Sequence, residues 1–147
     1  MAKKQVKQST KPAAWVWILG AAVLALILVG VFVLPRLGAD KAGLPAEVST
    51  AEGYKLREEG VFVLDVREPS EWAEAHIPGA TLIPLGELEA RVSEVPAGQP
   101  VLVYCRSGNR SQTGRDILLK AGFTQVTSMA GGIREWSAAG YPTEAGN

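Results

Sequence analysis

The chain has 147 residues, of which 15 are basic and 15 acidic, so it carries no formal net charge, and 47% of it is hydrophobic. Its single cysteine excludes an internal disulfide, and one Cys with one His is too small a donor set for a Cys/His metal centre, so neither metal nor cofactor is expected. The charge is unevenly spread: from Leu37 on, 10 basic residues face all 15 acidic ones, which offers no nucleic-acid surface.

Residues 1–12 form a basic tail holding Lys3, Lys4, Lys7 and Lys11, and Ala13 to Leu34 is an uninterrupted apolar run. At about 1.5 Å per helical residue, such a run reaches about 33 Å and crosses a hydrocarbon core of about 30 Å. Trp15 and Trp17 stand at its start and Pro35 ends it, as interfacial aromatics and a helix stop would. A cleaved signal has an apolar middle of only about 7–15 residues, and the nearby Leu37-Gly38-Ala39 puts a large residue where cleavage prefers a small one. Residues 13–34 are therefore expected to be a transmembrane signal anchor. Four lysines precede this span and only Arg36 and Lys41 closely follow it, so the positive-inside rule places the tail in the cytoplasm and the remainder outside it. The tail also suits anionic headgroups.

Residues 35–46, with their glycines and prolines, read as a linker to one small domain over 47–147. Ser49-Thr-Ala-Glu52 has capping-box spacing and predicts a helix to about Glu59, stopped by Gly60. Val61 to Leu64 is a buried-strand pattern. Pro69 to Glu74 predicts a short helix capped by Ser70, and Ile77-Pro-Gly79 a turn before a strand at Thr81 to Ile83. Gly86 to Val92 suits a helix, and Pro96 to Pro100 breaks the chain. A strand follows at Val101 to Tyr104, then a helix at Ser111 to Ala121 with Gly122 as its stop. Gln125 to Ser128 predicts a further strand and Ile133 to Ala138 a last helix. Strands alternating with helices predict an α/β domain with a central, mostly parallel sheet flanked by helices. Ligands of such sheets sit beyond the carboxyl ends of the strands, which is where Cys105 falls.

A lone cysteine at a strand end is commonly a small core residue. Here the next residues are Arg106, Ser107, Gly108, Asn109, Arg110 and Ser111, a tight loop entering a helix whose backbone N–H groups would cradle an anion. A free thiol titrates near about 8.5. Loop N–H groups, the helix N-terminus and the two arginines all favour the thiolate, the nucleophilic form.

Three segments together resemble the single-domain rhodaneses, a family of sulfurtransferases. They are Leu64-Asp-Val-Arg-Glu-Pro-Ser-Glu-Trp72 with Ala75-His-Ile-Pro-Gly-Ala80, then Val103-Tyr-Cys-Arg-Ser-Gly-Asn-Arg-Ser111, and Gly131-Gly-Ile-Arg-Glu-Trp136. Ala75 stands where the family often has Gly. The resemblance implies a rhodanese-like domain in which Cys105 takes sulfane sulfur from a donor such as thiosulfate, becomes a persulfide, and passes the sulfur to a thiol or cyanide. It implies that the loop N–H groups from Arg106 to Ser111 hold the anionic sulfur, that Arg106 and Arg110 attract an anionic donor, and that Asp65 and Arg67 brace the active-site side of the sheet. Phosphatases and arsenate reductases of this fold resemble the pattern too, but place five residues between Cys and Arg. Here only four separate Cys105 from Arg110. A second alternative is a tethered interaction module, against which the intact loop counts.

The remaining conspicuous residues are expected to be structural. His76 belongs to a turn, and Asp65, Arg67 and Glu71 form a bracing network. Trp136 packs in the core, and Trp72 packs on a helix face.

Overall fold

The computed structural model describes residues 43–146. The basic tail, the apolar run at 13–34 and the linker up to residue 42 lie outside the described residues. Among those described, no helix is long and apolar enough to cross a membrane.

The elements in chain order are β1 (Glu47–Val48), α1 (Thr50–Glu58), β2 (Phe62–Asp65), α2 (Pro69–Glu74) and β3 (Thr81–Leu82), then β4 (Val101–Tyr104), α3 (Asn109–Lys120), β5 (Val126–Met129) and α4 (Gly132–Ala138). The five strands form one sheet in the order β1-β5-β4-β2-β3, and every neighbouring pair is parallel. Period-two alternation along β4 divides the core. Val101, Val103 and Cys105 join Leu64, Leu88 and Leu118 on the face covered by α3. Leu102 and Tyr104 join Val63, Ile133 and Trp136 on the face covered by α1 and α4. A strand buried on both faces has to be apolar throughout, which explains the continuous Val-Leu-Val-Tyr run.

Trp136 is wholly buried; its indole N–H donates to Pro142 O at 2.8 Å, and its ring lies edge-on to Tyr141 at 5.2 Å. The Ser49 capping box forms as read, with Ser49 N–H donating to Glu52 Oε2 at 2.9 Å and Glu52 N–H to Ser49 Oγ at 3.3 Å.

Four expectations need correction. First, the cap of α2 is Glu68 rather than Ser70. Pro69 occupies the first helical position, where its fixed φ and missing N–H cost nothing, and this draws the start forward. Second, Gly86 to Val92 is a run of tight turns ending in a 3₁₀ turn at Val92–Glu94. Its bonds are mostly to the third residue back, such as Glu87 N–H to Pro84 O at 2.8 Å and Ala90 N–H to Glu87 O at 3.1 Å. Burial of both Leu88 and Val95 anchors this tighter path, since a helix so short has little stability of its own. Third, α3 begins at Asn109, two residues before Ser111, because Gly108 turns the chain at once with a φ of 105°. Fourth, β5 is shifted by one residue, to Val126–Met129, because it pairs with β1 through Val48 and Met129. β1 was hidden in the sequence because two residues show no periodicity.

Candidate active site

The site is built where β4 ends. Leu102, Val103 and Tyr104 are fixed between β2 and β5, so the next residue, Cys105, emerges at the carboxyl edge of the sheet with only 1% of its surface exposed. Gly108 N–H points back at the thiol and donates to Cys105 Sγ at 3.1 Å. Ser111, fully buried in the first turn of α3, donates its hydroxyl to Gly108 O at 2.7 Å and stands 3.9 Å from Sγ.

The loop's carbonyls are turned the other way by α4. Ile133 N–H donates to Cys105 O at 2.9 Å and Arg134 N–H to Arg106 O at 3.2 Å. With its oxygens held on that side, the loop leaves its N–H groups free to face the sulfur. Close approach requires glycine at 132, where φ is 57° and a Cβ would lie 2.3 Å from Cys105 O.

Burial pushes the Cys105 thiol up, but the backbone N–H groups of Ser107, Ser111 and Gly108, with the Ser111 hydroxyl, more than offset this and hold it below its ordinary value. The geometry therefore favours a buried thiolate ringed by donors, an arrangement suited to nucleophilic attack and to carrying an anionic adduct.

Asp65 ends β2, beside β4, and is paired in register with Tyr104. Its carboxylate, wholly buried, accepts from Arg67 Nε at 2.9 Å, Arg67 Nη2 at 2.6 Å and Arg67 N–H at 2.9 Å. Arg67, itself 3% exposed, also donates to Glu71 O at 3.2 Å and Ala75 O at 2.7 Å, and its guanidinium lies 5.5 Å from the centroid of the Tyr104 ring. This pair ties α2 and the following turn to the sheet beside the loop. His76 completes the turn: its Nδ1 is 3.0 Å from Trp72 O, its Nε2 is 3.1 Å from Glu144 Oε1, and Trp72 stacks on its ring at 3.7 Å.

The structure thus gathers Cys105, Gly108 and Ser111 at the thiol and leaves Arg106, Ser107 and Asn109 with exposed side chains. Arg110 lies within reach of the thiol: Glu71, together with that thiol, raises its guanidinium above the ordinary value. Its guanidinium is held by Glu71 through two bonds of 2.8 Å, Nη1 to Oε2 and Nη2 to Oε1. Glu71 does join the expected network with Asp65 and Arg67, its backbone carbonyl accepting from Arg67 at 3.2 Å and its carboxylate feeling the Arg67 charge, but the carboxylate's direct partner is Arg110. No local signal marks the Glu71–Arg110 pair. For the α4 contact with the loop, the Gly131-Gly132 doublet was the available clue.

The Arg110 guanidinium, against opposing burial and with help from Glu68 N–H, lowers the Glu71 carboxyl from 4.5 to about 2. Because the folded value lies below the unfolded one, the stabilisation is present above pH about 4.5 and is lost as pH falls toward about 2. Urea midpoints of wild type and Glu71→Gln should therefore differ at neutral pH and converge across that acid window. A constant gap would rule out the pairing as the source.

The model of the family described as Rhodanese-like domain matches residues 49–139. YrkF of Bacillus subtilis is 40% identical over 89 residues, 58% of this chain and 48% of that protein, so the chain spans about half of that relative. The thiosulfate sulfurtransferase GlpE of Pseudomonas entomophila is 35% identical over 97 residues, covering 66% of this chain and 88% of the relative. The crystal structure of a rhodanese-related protein from Thermoplasma volcanium superposes with a TM-score of 0.63 at 30% identity, covering 68% of this chain and 98% of that one. With nearly the whole described domain inside the match, and its relatives including sulfurtransferases, the chain belongs to the rhodanese-like domain family.

Proposed function

We propose that this chain is a membrane-anchored rhodanese-type sulfurtransferase, tethered by residues 13–34 with its catalytic domain outside the cytoplasm. Cys105 is its sulfur carrier. In the first step the Cys105 thiolate attacks the outer sulfur of thiosulfate. A Cys–S–S bond forms, the thiosulfate S–S bond breaks, and sulfite leaves with the electron pair. In the second step a thiol or cyanide attacks the outer sulfur of the persulfide, and Cys105 departs as thiolate.

The observation that carries this reading is the seating of Cys105 Sγ on Gly108 N–H at 3.1 Å inside a loop only four residues long between Cys105 and Arg110. Such a cradle fits a sulfur anion better than a tetrahedral phosphate. The activity named for the Pseudomonas relative points to the same donor. The anchor rests on the apolar run and its lysine asymmetry.

The test is the intact mass of the full chain after incubation with excess thiosulfate. A gain of one sulfur atom, removed by cyanide or a thiol, is expected; no gain with thiosulfate or with persulfide donors would overturn the reading. A reporter fused after Asn147 and assayed on both sides of the membrane tests the orientation. Arg110→Ala is expected to raise the KM for thiosulfate about fivefold, the worth of one partly exposed charge contact of about 1 kcal/mol, and to affect an uncharged persulfide donor less. Equal losses on both donors would remove Arg110 from anion capture.

A further inference from the structure

The Glu71–Arg110 pair is held more firmly than a surface ion pair requires. Glu71 lies in the first turn of α2 and Arg110 in the first turn of α3. Their side chains, 24% and 33% exposed, meet end-on, Nη1 donating to Oε2 and Nη2 to Oε1, each at 2.8 Å. The carboxylate is itself fixed, because Oε2 also accepts from Glu68 N–H at 3.1 Å. The backbone is fixed too, since Glu71 O accepts from the buried Arg67 at 3.2 Å, and Arg67 is anchored on Asp65 at the end of β2. A line of contacts thus runs from the sheet through α2 to the Arg110 guanidinium.

A partly exposed ion pair contributes little to stability. What a doubly supported fork does well is hold a long, flexible arginine in one rotamer. Among the described residues, the Glu71 carboxylate is the one hydrogen-bond partner of this guanidinium. The end-on fork uses the terminal nitrogens and leaves the lateral edge, with Nε–H, open. The thiol lies near enough to influence Arg110, so where the guanidinium is held decides whether its charge acts on the sulfur. Resting on the sulfurtransferase reading, we propose that Glu71 is a positioning residue for sulfur transfer, its carboxylate keeping the Arg110 guanidinium beside Cys105 with one edge open to the anionic donor. Glu71 thus acts through Arg110 and touches neither donor nor sulfur. In its absence Arg110 swings into solvent, and the thiolate and the donor lose a fixed positive charge together.

The test uses the full chain as wild type, Glu71→Gln, Arg110→Ala and the double variant. The first readout is the Cys105 titration, followed by thiolate ultraviolet absorbance against pH with Cys105→Ala as the blank. The chain has one cysteine, so the signal reports that thiol alone. Removing a nearby negative charge would by itself lower the midpoint, whereas releasing Arg110 raises it. The midpoint should therefore rise in Glu71→Gln, by about half a unit for loss of one charge contact, with no further rise when the same change is made in Arg110→Ala. The second readout is turnover: the KM for thiosulfate should rise about threefold in Glu71→Gln, with kcat nearly unchanged and no added effect in the Arg110→Ala background. A midpoint that falls or stays put, or a KM factor equal in both backgrounds, would overturn the proposal. Sulfur loading of the wild type, followed by intact mass, separates the two readings. Absent loading with a midpoint raised by Glu71→Gln sinks the sulfur-carrier chemistry and leaves Glu71 as the support of Arg110 at the thiol. Normal loading with an unmoved midpoint sinks the positioning role alone.

Discussion

Replacing Cys105 with alanine is expected to abolish sulfur loading and sulfur transfer while the domain stays folded. The chain has no other cysteine, so no neighbouring thiol substitutes, and the rate should fall to background, a loss of roughly 10³-fold or more for removal of a covalent nucleophile. The structural penalty is small by comparison. Losing one buried heavy atom of this size costs about 1 kcal/mol, and the loop remains fixed from outside by Ile133 and Arg134, whose N–H groups hold the carbonyls of Cys105 and Arg106. Intact mass with thiosulfate, cyanide-dependent turnover and a thermal melt of the variant check the two halves together. Full residual turnover in a folded variant would remove Cys105 from the chemistry. An unfolded one would show that the thiol is needed for packing.

The largest loss of stability is expected from Asp65→Asn. Asp65 is wholly buried and Arg67 is 3% exposed; they neutralise each other through three side-chain contacts of 2.6–3.0 Å. Removing one member of such a pair leaves a charge uncompensated in the interior, at a cost of about 3–5 kcal/mol. A small domain has about 5–15 kcal/mol in all, so the urea midpoint should drop sharply. The double variant Asp65→Asn/Arg67→Met should recover part of the loss, because it removes the stranded guanidinium as well. A single variant within about 1 kcal/mol of wild type would contradict the buried-pair account. Because Arg67 also ties down Glu71 O and Ala75 O, loosened pairing should be visible as faster amide exchange in the turn that carries His76.

Much of this was legible from residues close together in the chain. The capping box at Ser49 and Glu52 and the apolar run of β4 each depend on interactions within a few positions, and the structure keeps them. The Asp65–Arg67 pair spans two residues and was legible for the same reason. Departures occurred where a distant element set the outcome. Glu71 looked like a partner of Arg67 four residues away, but its carboxylate reaches Arg110, 39 residues on. Gly86 to Val92 carried a helical pattern, yet burial of Leu88 and Val95 drew it into tight turns. β1 existed only in its pairing with β5.

By itself, then, the sequence determined that a thiol would stand at the end of a buried parallel strand, before a glycine turn and a helix, because strand, turn and helix preferences are written in neighbouring residues. The tertiary structure alone decided how that thiol is served. The sheet order places α4 so that it draws two carbonyls out of the loop, and places α2 so that Glu71 takes Arg110. Those arrangements depend on which elements become neighbours across the sheet, and electrostatic pairing between distant residues follows that neighbourhood, not spacing along the chain.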